Sequence, residues 1–246
     1  MCWNGKASTV LAVIGLSTTL YAAWKKEPTA LWITLGYFSL MEALQAYTYL
    51  VINQCSVPSN QIATLLGYLH IVFQPFFANA MALYFIPDKV RDKIQGWVYA
   101  ACFASAIFML IQLYPFDWAG HCAIGRPLCG DVLCSVRGNW HIAWEVPANS
   151  IGNWLWYHHV PIIWNGYPSY PLVVFLLPAL YGSWRLTLYH AMMGPILSHI
   201  LTNNPNEWPA VWCLLSIGML LIVVKTPVRQ YMFVRHWFFW PRRLWT

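Results

Sequence analysis

Seven stretches of this chain are long and apolar enough to cross a bilayer, and the basic residues between them fall almost entirely on alternate connections. A hydrocarbon layer about 30 Å thick needs about 20 apolar residues at 1.5 Å rise, because a helix alone satisfies its backbone polar groups where no water can. The expected spans are 7–24, 29–52, 61–86, 94–114, 170–184, 186–201 and 208–224. The fifth and sixth are short, joined by almost nothing, and carry Pro178 and Pro195, which predicts kinked helices packed against protein. Composition excludes an ordinary soluble domain: 59% of residues are apolar and 9% charged, against roughly a quarter charged in a typical globular protein.

Orientation follows from the basic residues. With the first connection inside, Lys25, Lys26, Lys89, Arg91, Lys93, Arg185, Lys225, Arg229, Arg235, Arg242 and Arg243 are all cytoplasmic, and only Lys6, Arg126 and Arg137 are outside. The N-terminus is then outside and the C-terminus inside, with the first span serving as a retained signal anchor. The same bias, facing anionic lipid, accounts for the net charge of +6 without a nucleic-acid partner. The expectation is an all-α, multi-pass integral membrane protein of one domain, residues 1–246, in a bacterial inner membrane.

Cys2, Cys55, Cys122, Cys129 and Cys134 fall on the outer side, where disulfides persist, while Cys102 and Cys213 lie within spans as small apolar fillers. Cys55, Cys122, Cys129 and Cys134 are therefore disulfide candidates. A zinc cluster of His121 with the last three is the alternative, and it lacks close C-x-x-C pairs. Residues 115–169 are too long for a simple connector and read as an outer lid. Its first half is stapled by cysteine. Its second half carries Trp140, Trp144, Trp154, Trp156, Tyr157 and Trp164 with His141, His158 and His159, a composition suited to the headgroup zone. One or two short interfacial helices are expected there. A helix over 140–146 places His141 and Glu145 one turn apart, as a hydrogen-bonded pair or an acid–base pair.

Polar groups inside the spans carry the chemical information, because an ionisable side chain in hydrocarbon costs a few kcal/mol and is normally paired or cavity-facing. Glu42, His70 and His190 each sit roughly 13 to 17 Å below the outer surface when counted along their helices. Gln45 and Gln74 follow Glu42 and His70 at helical spacing, and Asn79 and Ser39 add further polar positions. Three readings fit: a structural hydrogen-bond network, a metal or haem-like tetrapyrrole site with Glu42, His70 and His190 as ligands or acid–base groups, and a proton or solute pathway. In the connection 202–209, Asn206 reads as an N-cap, Glu207 as a favourable charge at a helix start and Pro209 as a first-turn residue, with Glu207 and His199 also placed to line a pocket mouth under the lid.

Several familiar chemistries fail on residues. The histidine arrays of di-iron hydroxylases and desaturases are absent, the histidine pair that membrane ceramidases carry near their last span is missing, and Lys225 lies at the span edge beside Thr226 and Pro227, where a lysine anchors rather than forms a Schiff base. No pair of broken spans marks an inverted-repeat transporter. The opening Met1-Cys2-Trp3, the run Gly36 to Gln45, Tyr68-Leu69-His70-Ile71 with Gln74-Pro75, and Asn203 to Ser216 resemble an uncharacterised family of multi-span membrane proteins of bacteria and, more distantly, giant viruses. That resemblance implies seven helices and transfers no catalytic residue. The functional expectation is a membrane enzyme or metal- or tetrapyrrole-binding protein acting on an apolar small molecule. The alternatives are an accessory subunit of a larger respiratory or photosynthetic membrane complex, for which sixteen Trp residues and the aromatic run Trp237 to Trp240 speak, and a transporter.

Overall fold

The computed structural model describes residues 3–152 and 166–241, and the fold is mostly helical. Helices α1 (Gly5–Trp24), α2 (Thr29–Val51), α3 (Pro58–Tyr84) and α4 (Asp88–Ile111) each pack on the one before. A small sheet of β1 (Cys134–Arg137) and β2 (Ile142–Glu145) comes next, and then α5 (Ser169–Leu180), α6 (184–201), α7 (Trp208–Lys225) and the short α8 (Val228–Met232). Cys2, the lid residues Trp154, Trp156, Tyr157, His158, His159 and Trp164, and Arg242 and Arg243 lie outside the described residues.

Local chemistry sets the helix starts. The Asn4 side chain accepts the N–H of Ala7 at 3.0 Å as the cap of α1. Pro28, Pro58, Pro87 and Pro209 stand at or beside the first residue of α2, α3, α4 and α7, where a missing N–H costs nothing. Small residues let α1 and α2 approach: a Cβ on Gly15 would collide with the Ser39 hydroxyl. Two apolar clusters fill the interior. One surrounds Leu35, Phe38, Phe85 and Leu220 at the end where α1, α3 and α7 finish, and the other surrounds Met41, Tyr68, Met109 and Trp144 toward the lid.

Four of the seven expected spans, α1, α3, α4 and α7, are long and apolar enough to cross a membrane. α2 has 23 residues but turns Thr34, Ser39, Glu42, Gln45 and Thr48 inward, and these dilute its hydropathy. α5 and α6 are interrupted by π-helical turns, Leu172–Leu176 and Met192–Ile196. Pro178 and Pro195 account for both, since each lacks an N–H and crowds the carbonyl four residues back, so the turn widens to clear the ring. Asn79 ties α5 to α3. Its Nδ2 donates to the carbonyls of Pro75 (2.9 Å) and Val173 (3.0 Å), and its Oδ1 accepts the Tyr181 hydroxyl at 3.0 Å.

The described lid differs from the expected interfacial helices. It is an antiparallel pair in which Cys134 faces Glu145 and Arg137 faces Ile142. Alternating Ile142 and Trp144 with a turn at Gly138 suits a pleated surface better than a helix. The disulfide Cys55–Cys134 ties β1 to the α2–α3 connection, and Cys122–Cys129 closes a seven-residue separation within the lid. Asn60 adds a polar staple, donating to the carbonyls of Val51 and Ser135 and accepting the N–H of Ser135 at 2.9 Å. Trp144 is buried against Gly67, where a Cβ would sit 3.3 Å from the indole.

From the far side the lid is held by Glu207. Its carboxylate accepts the N–H groups of Asn139 (2.6 Å), Trp140 (2.8 Å) and His141 (2.8 Å). Its neighbour Asn206 exchanges two bonds with the backbone of Cys129, and its carbonyl accepts the N–H of Trp144. Glu207, rather than Asn206, is the residue at the α7 cap, and its side chain serves the lid instead of its own helix. Glu207→Gln puts an amide NH₂ against N–H donors, so the variant should lose about 2 kcal/mol of lid stability. This is readable as a lower thermal midpoint in detergent and faster proteolysis between residues 120 and 150, with Glu145→Gln unchanged.

Candidate functional site

The structure does not bring Glu42, His70 and His190 together. Glu42 is fully buried on the face of α2 toward α1, close enough to the Ser8 hydroxyl to interact with it, and both carboxylate oxygens lack a hydrogen-bond partner among the described residues. His70 lies on another face, its ring stacked on Tyr37 at 3.9 Å in a shallow side groove with Leu40, Leu66 and Phe73. His190 sits where α6 meets α7, its Nε2 accepting Trp212 Nε1 at 3.0 Å. Counting residues along a helix yields depth but not azimuth, and azimuth separates the three.

A shared metal or tetrapyrrole slot for these residues does not fit that arrangement. Among the described residues, only His121, Cys122 and Cys129 place three potential ligand atoms within 4.8 Å of one another, and both sulfurs of that set are joined in a disulfide. The two imidazoles line different cavities, and His190 Nε2 is already engaged by an indole.

A polar row runs instead along α2. Glu42, Gln45 and Tyr49 share one helical face at spacings of three and four. Gln45 is fully buried, and neither amide atom has a hydrogen-bond partner among the described residues. The Tyr49 hydroxyl reaches His141 Nδ1 at 2.9 Å, and the N–H of Ile142 donates to the same nitrogen at 2.7 Å. Nδ1 is therefore an acceptor, which assigns the imidazole proton to Nε2, an atom with no partner among the described residues. Burial pushes the His141 imidazole down to about 3 from an ordinary 6.5. Glu145 is no partner to it. It stands at the rim of β2 near Asp131, and burial, then that carboxylate, raises it. His199 is exposed and packs edge-on against Trp208 at 4.7 Å, while Glu207 faces the lid turn instead of a pocket mouth.

Between α3, α5, α6 and α7, roofed by Pro127 and Leu128 of the lid, lies a cavity of about 120 Å³. Its wall is mostly apolar and aromatic, with Ile71, Tyr167, Tyr170, Trp208 and Trp212 around it. Of the polar groups in that wall, Gln74 Nε2 and the Tyr170 hydroxyl are buried and have no hydrogen-bond partner among the described residues, whereas the Ser198 hydroxyl donates to the Pro195 carbonyl at 3.0 Å. The π turn of α6 borders it through Pro195, and the π turn of α5 begins just after the lining residue Pro171; such turns recur at functional sites. Trp212 connects the cavity to His190 through its indole N–H. Of this constellation the sequence reading found Gln74. Tyr170, Trp208 and Trp212 are indistinguishable in sequence from interfacial anchors, and the paired prolines were the one available signal.

A family model covers residues 6–233 and describes a family of unknown function, DUF5765. No curated protein matches the chain, and neither does any solved structure.

The neutral, buried His141 makes lid stability pH-dependent in one direction. The unfolded imidazole takes a proton near 6.5 and the folded one not until about 3, so the unfolded state binds more protons in that window. Stability is full above about pH 6.5 and falls on acidification, by about 2 kcal/mol at pH 5. Hydrogen exchange of the β1–β2 amides should quicken accordingly, and His141→Asn, which keeps an acceptor near Nδ1, should flatten the dependence.

Proposed function

Because the chain belongs to DUF5765, a family without an assigned activity, its function has to be read from geometry, and we propose that it is a multi-span membrane protein that binds a small, mainly apolar molecule beneath an outer lid. The bundle crosses the bilayer with α1 to α7, N-terminus outside and C-terminus in the cytoplasm. Four helices of sufficient length and hydropathy support this, as do the outward-facing apolar side chains of α1 and α4, among them Val10, Val13, Leu20, Phe103 and Ile107. Lys25, Lys26, Lys89, Arg185 and Lys225 stand at one end of the bundle and the two disulfides at the other, in keeping with the positive-inside bias and an oxidising outer compartment.

The observation that carries the ligand assignment is the pairing of Gln74 Nε2 and the Tyr170 hydroxyl in an aromatic wall. A buried polar group left unmatched costs about 1 to 3 kcal/mol, so two of them on one small cavity select a ligand that carries a hydrogen-bonding group on an apolar body. The volume, about 120 Å³, suits a single ring or a short chain end, compared with the roughly 150 Å³ apolar cavity that admits benzene. The neutral His190–Trp212 pair holds the inner wall in place. The reading keeps the apolar small molecule of the sequence expectation and moves the site from Glu42, His70 and His190 to Gln74, Tyr170 and Trp212.

The test uses 4-fluorophenol and fluorobenzene with the full chain in nanodiscs, followed by fluorine NMR. The phenol should bind saturably and roughly five- to tenfold tighter than fluorobenzene, the worth of one net hydrogen bond. Gln74→Leu combined with Tyr170→Phe should abolish the difference while leaving the thermal midpoint close to wild type. Equal binding of the two probes by the wild-type chain, or identical preferences in the double variant, rules the assignment out.

A further inference from the structure

At the basic end of the bundle a second, larger depression of about 1180 Å³ opens between the α3–α4 turn, the start of α6 and the segment 230–236. Three guanidiniums line it, Arg91, Arg185 and Arg235, with His236 and a single carboxylate, Asp88. Arg91 holds Asp88 at 3.0 Å and Asp92 at 3.5 Å. Arg185 Nη1 donates to the carbonyls of Tyr231 and Phe233, each at 3.1 Å, so this guanidinium is built into the wall and not swinging from a surface. Arg235 is exposed and has neither an ion pair nor a hydrogen bond among the described residues. The positive charge of the groove is therefore incompletely balanced by protein.

The rings around it narrow the choice of anion. Tyr84, Trp184, Tyr231 and Phe233 line the groove, and Phe238 and Phe239 stand nearby in the chain at 87% and 62% exposure. Large exposed rings beside guanidiniums suit the headgroup zone of a membrane, where an apolar body and a charged tip are both satisfied. A free phosphate would leave those rings in water. The volume, about 1180 Å³, also exceeds what a lone phosphate needs and lies just above the roughly 300 to 1,000 Å³ of small-molecule sites, room for a headgroup with part of its chains.

We propose that this groove binds the phosphate headgroup of an anionic membrane lipid from the cytoplasmic leaflet, with Arg235 and Arg91 contacting the phosphate and the Tyr84, Trp184 and Phe233 rings flanking its glycerol and upper acyl chains. The inference rests on the membrane-spanning reading and is independent of the pocket under the lid. Arg185 has the positioning role: it fixes the 231–233 segment that forms one bank of the groove.

The full chain, purified in a neutral detergent, is offered an equimolar mixture of phosphatidylglycerol and phosphatidylcholine with identical acyl chains, and retained lipid is counted by native mass spectrometry. Wild-type protein should retain phosphatidylglycerol preferentially. Arg235→Gln should lower that preference roughly fivefold, and Arg91→Gln with it by about as much again, the worth of about 1 kcal/mol per basic residue at an anionic surface. Lys93→Gln, a nearby cation outside the groove, should change nothing. Equal retention of the two lipids by wild type, or equal loss in Lys93→Gln and Arg235→Gln, overturns the proposal. So does full displacement of phosphatidylglycerol by millimolar inorganic phosphate, which would mark a free-phosphate site. Alkaline carbonate extraction of membranes separates the two readings: a chain that is washed off defeats the membrane assignment itself, whereas a resistant chain without lipid preference defeats the groove alone.

Discussion

Three consecutive backbone N–H groups converge on the carboxylate of Glu207, and the position of the lid depends on that contact. A turn with N–H groups pointing one way is a concentration of positive dipole, and a buried carboxylate is the one side chain that answers all three at once. Gly138 is required at the approach, because a Cβ there would overlap the Glu207 side chain. Once the turn is docked, β2 follows, Trp144 drops against Gly67, and Asn206 closes on Cys129. The Cys55–Cys134 bridge and the Asn60 staple hold the opposite strand to the α2–α3 connection. The lid is thus clamped between two helix ends, and Leu128 is brought over the small cavity as its roof.

Below the lid, the decisive feature is the loss of regular helix in α5 and α6. A proline in each forces a π turn; that of α6 lines the cavity through Pro195, and that of α5 begins just after the lining residue Pro171. Regular α-helices at those positions would pack ridge into groove and close it. Beside that space Tyr170 and Trp212 meet edge to face at 5.5 Å, and Gln74 Nε2 has no hydrogen-bond partner among the described residues. Asn79 secures the arrangement by bonding across from α3 to α5 in the buried interior. A residue that the sequence marks as a binding candidate is in this way committed to holding two helices together.

The buried row of Glu42, Gln45, Tyr49 and His141 and the cavity at Gln74 illustrate two kinds of polar group in one bundle. In the row, Tyr49 bonds His141 and links the lid to α2, while Glu42, Gln45 and His141 Nε2 are buried with no hydrogen-bond partner among the described residues. At the cavity, the unmatched atoms of Gln74 and Tyr170 border open space. Lacking a partner does not distinguish the two sets; the adjoining space does.

The long apolar helices, the position of the prolines at helix starts, the presence of disulfides among Cys55, Cys122, Cys129 and Cys134, and the segregation of basic residues to alternate connections were legible from the chain, because each is a property of local composition and period. That Cys55 pairs with Cys134 and that Glu207 serves the lid were not legible, because they depend on contacts between segments more than 60 residues apart, and the β1–β2 pairing, though local, is held in place by those same contacts. The same limit explains Glu42, His70 and His190. Residue count along a helix placed them at one depth, but the direction in which each side chain leaves its helix is set by how the helices rotate against their neighbours. Sequence by itself determined the apolar character of the long helices and where most of them begin. Tertiary packing decided which polar groups meet, since rotation about a helix axis changes no local preference and is selected only by what lies alongside.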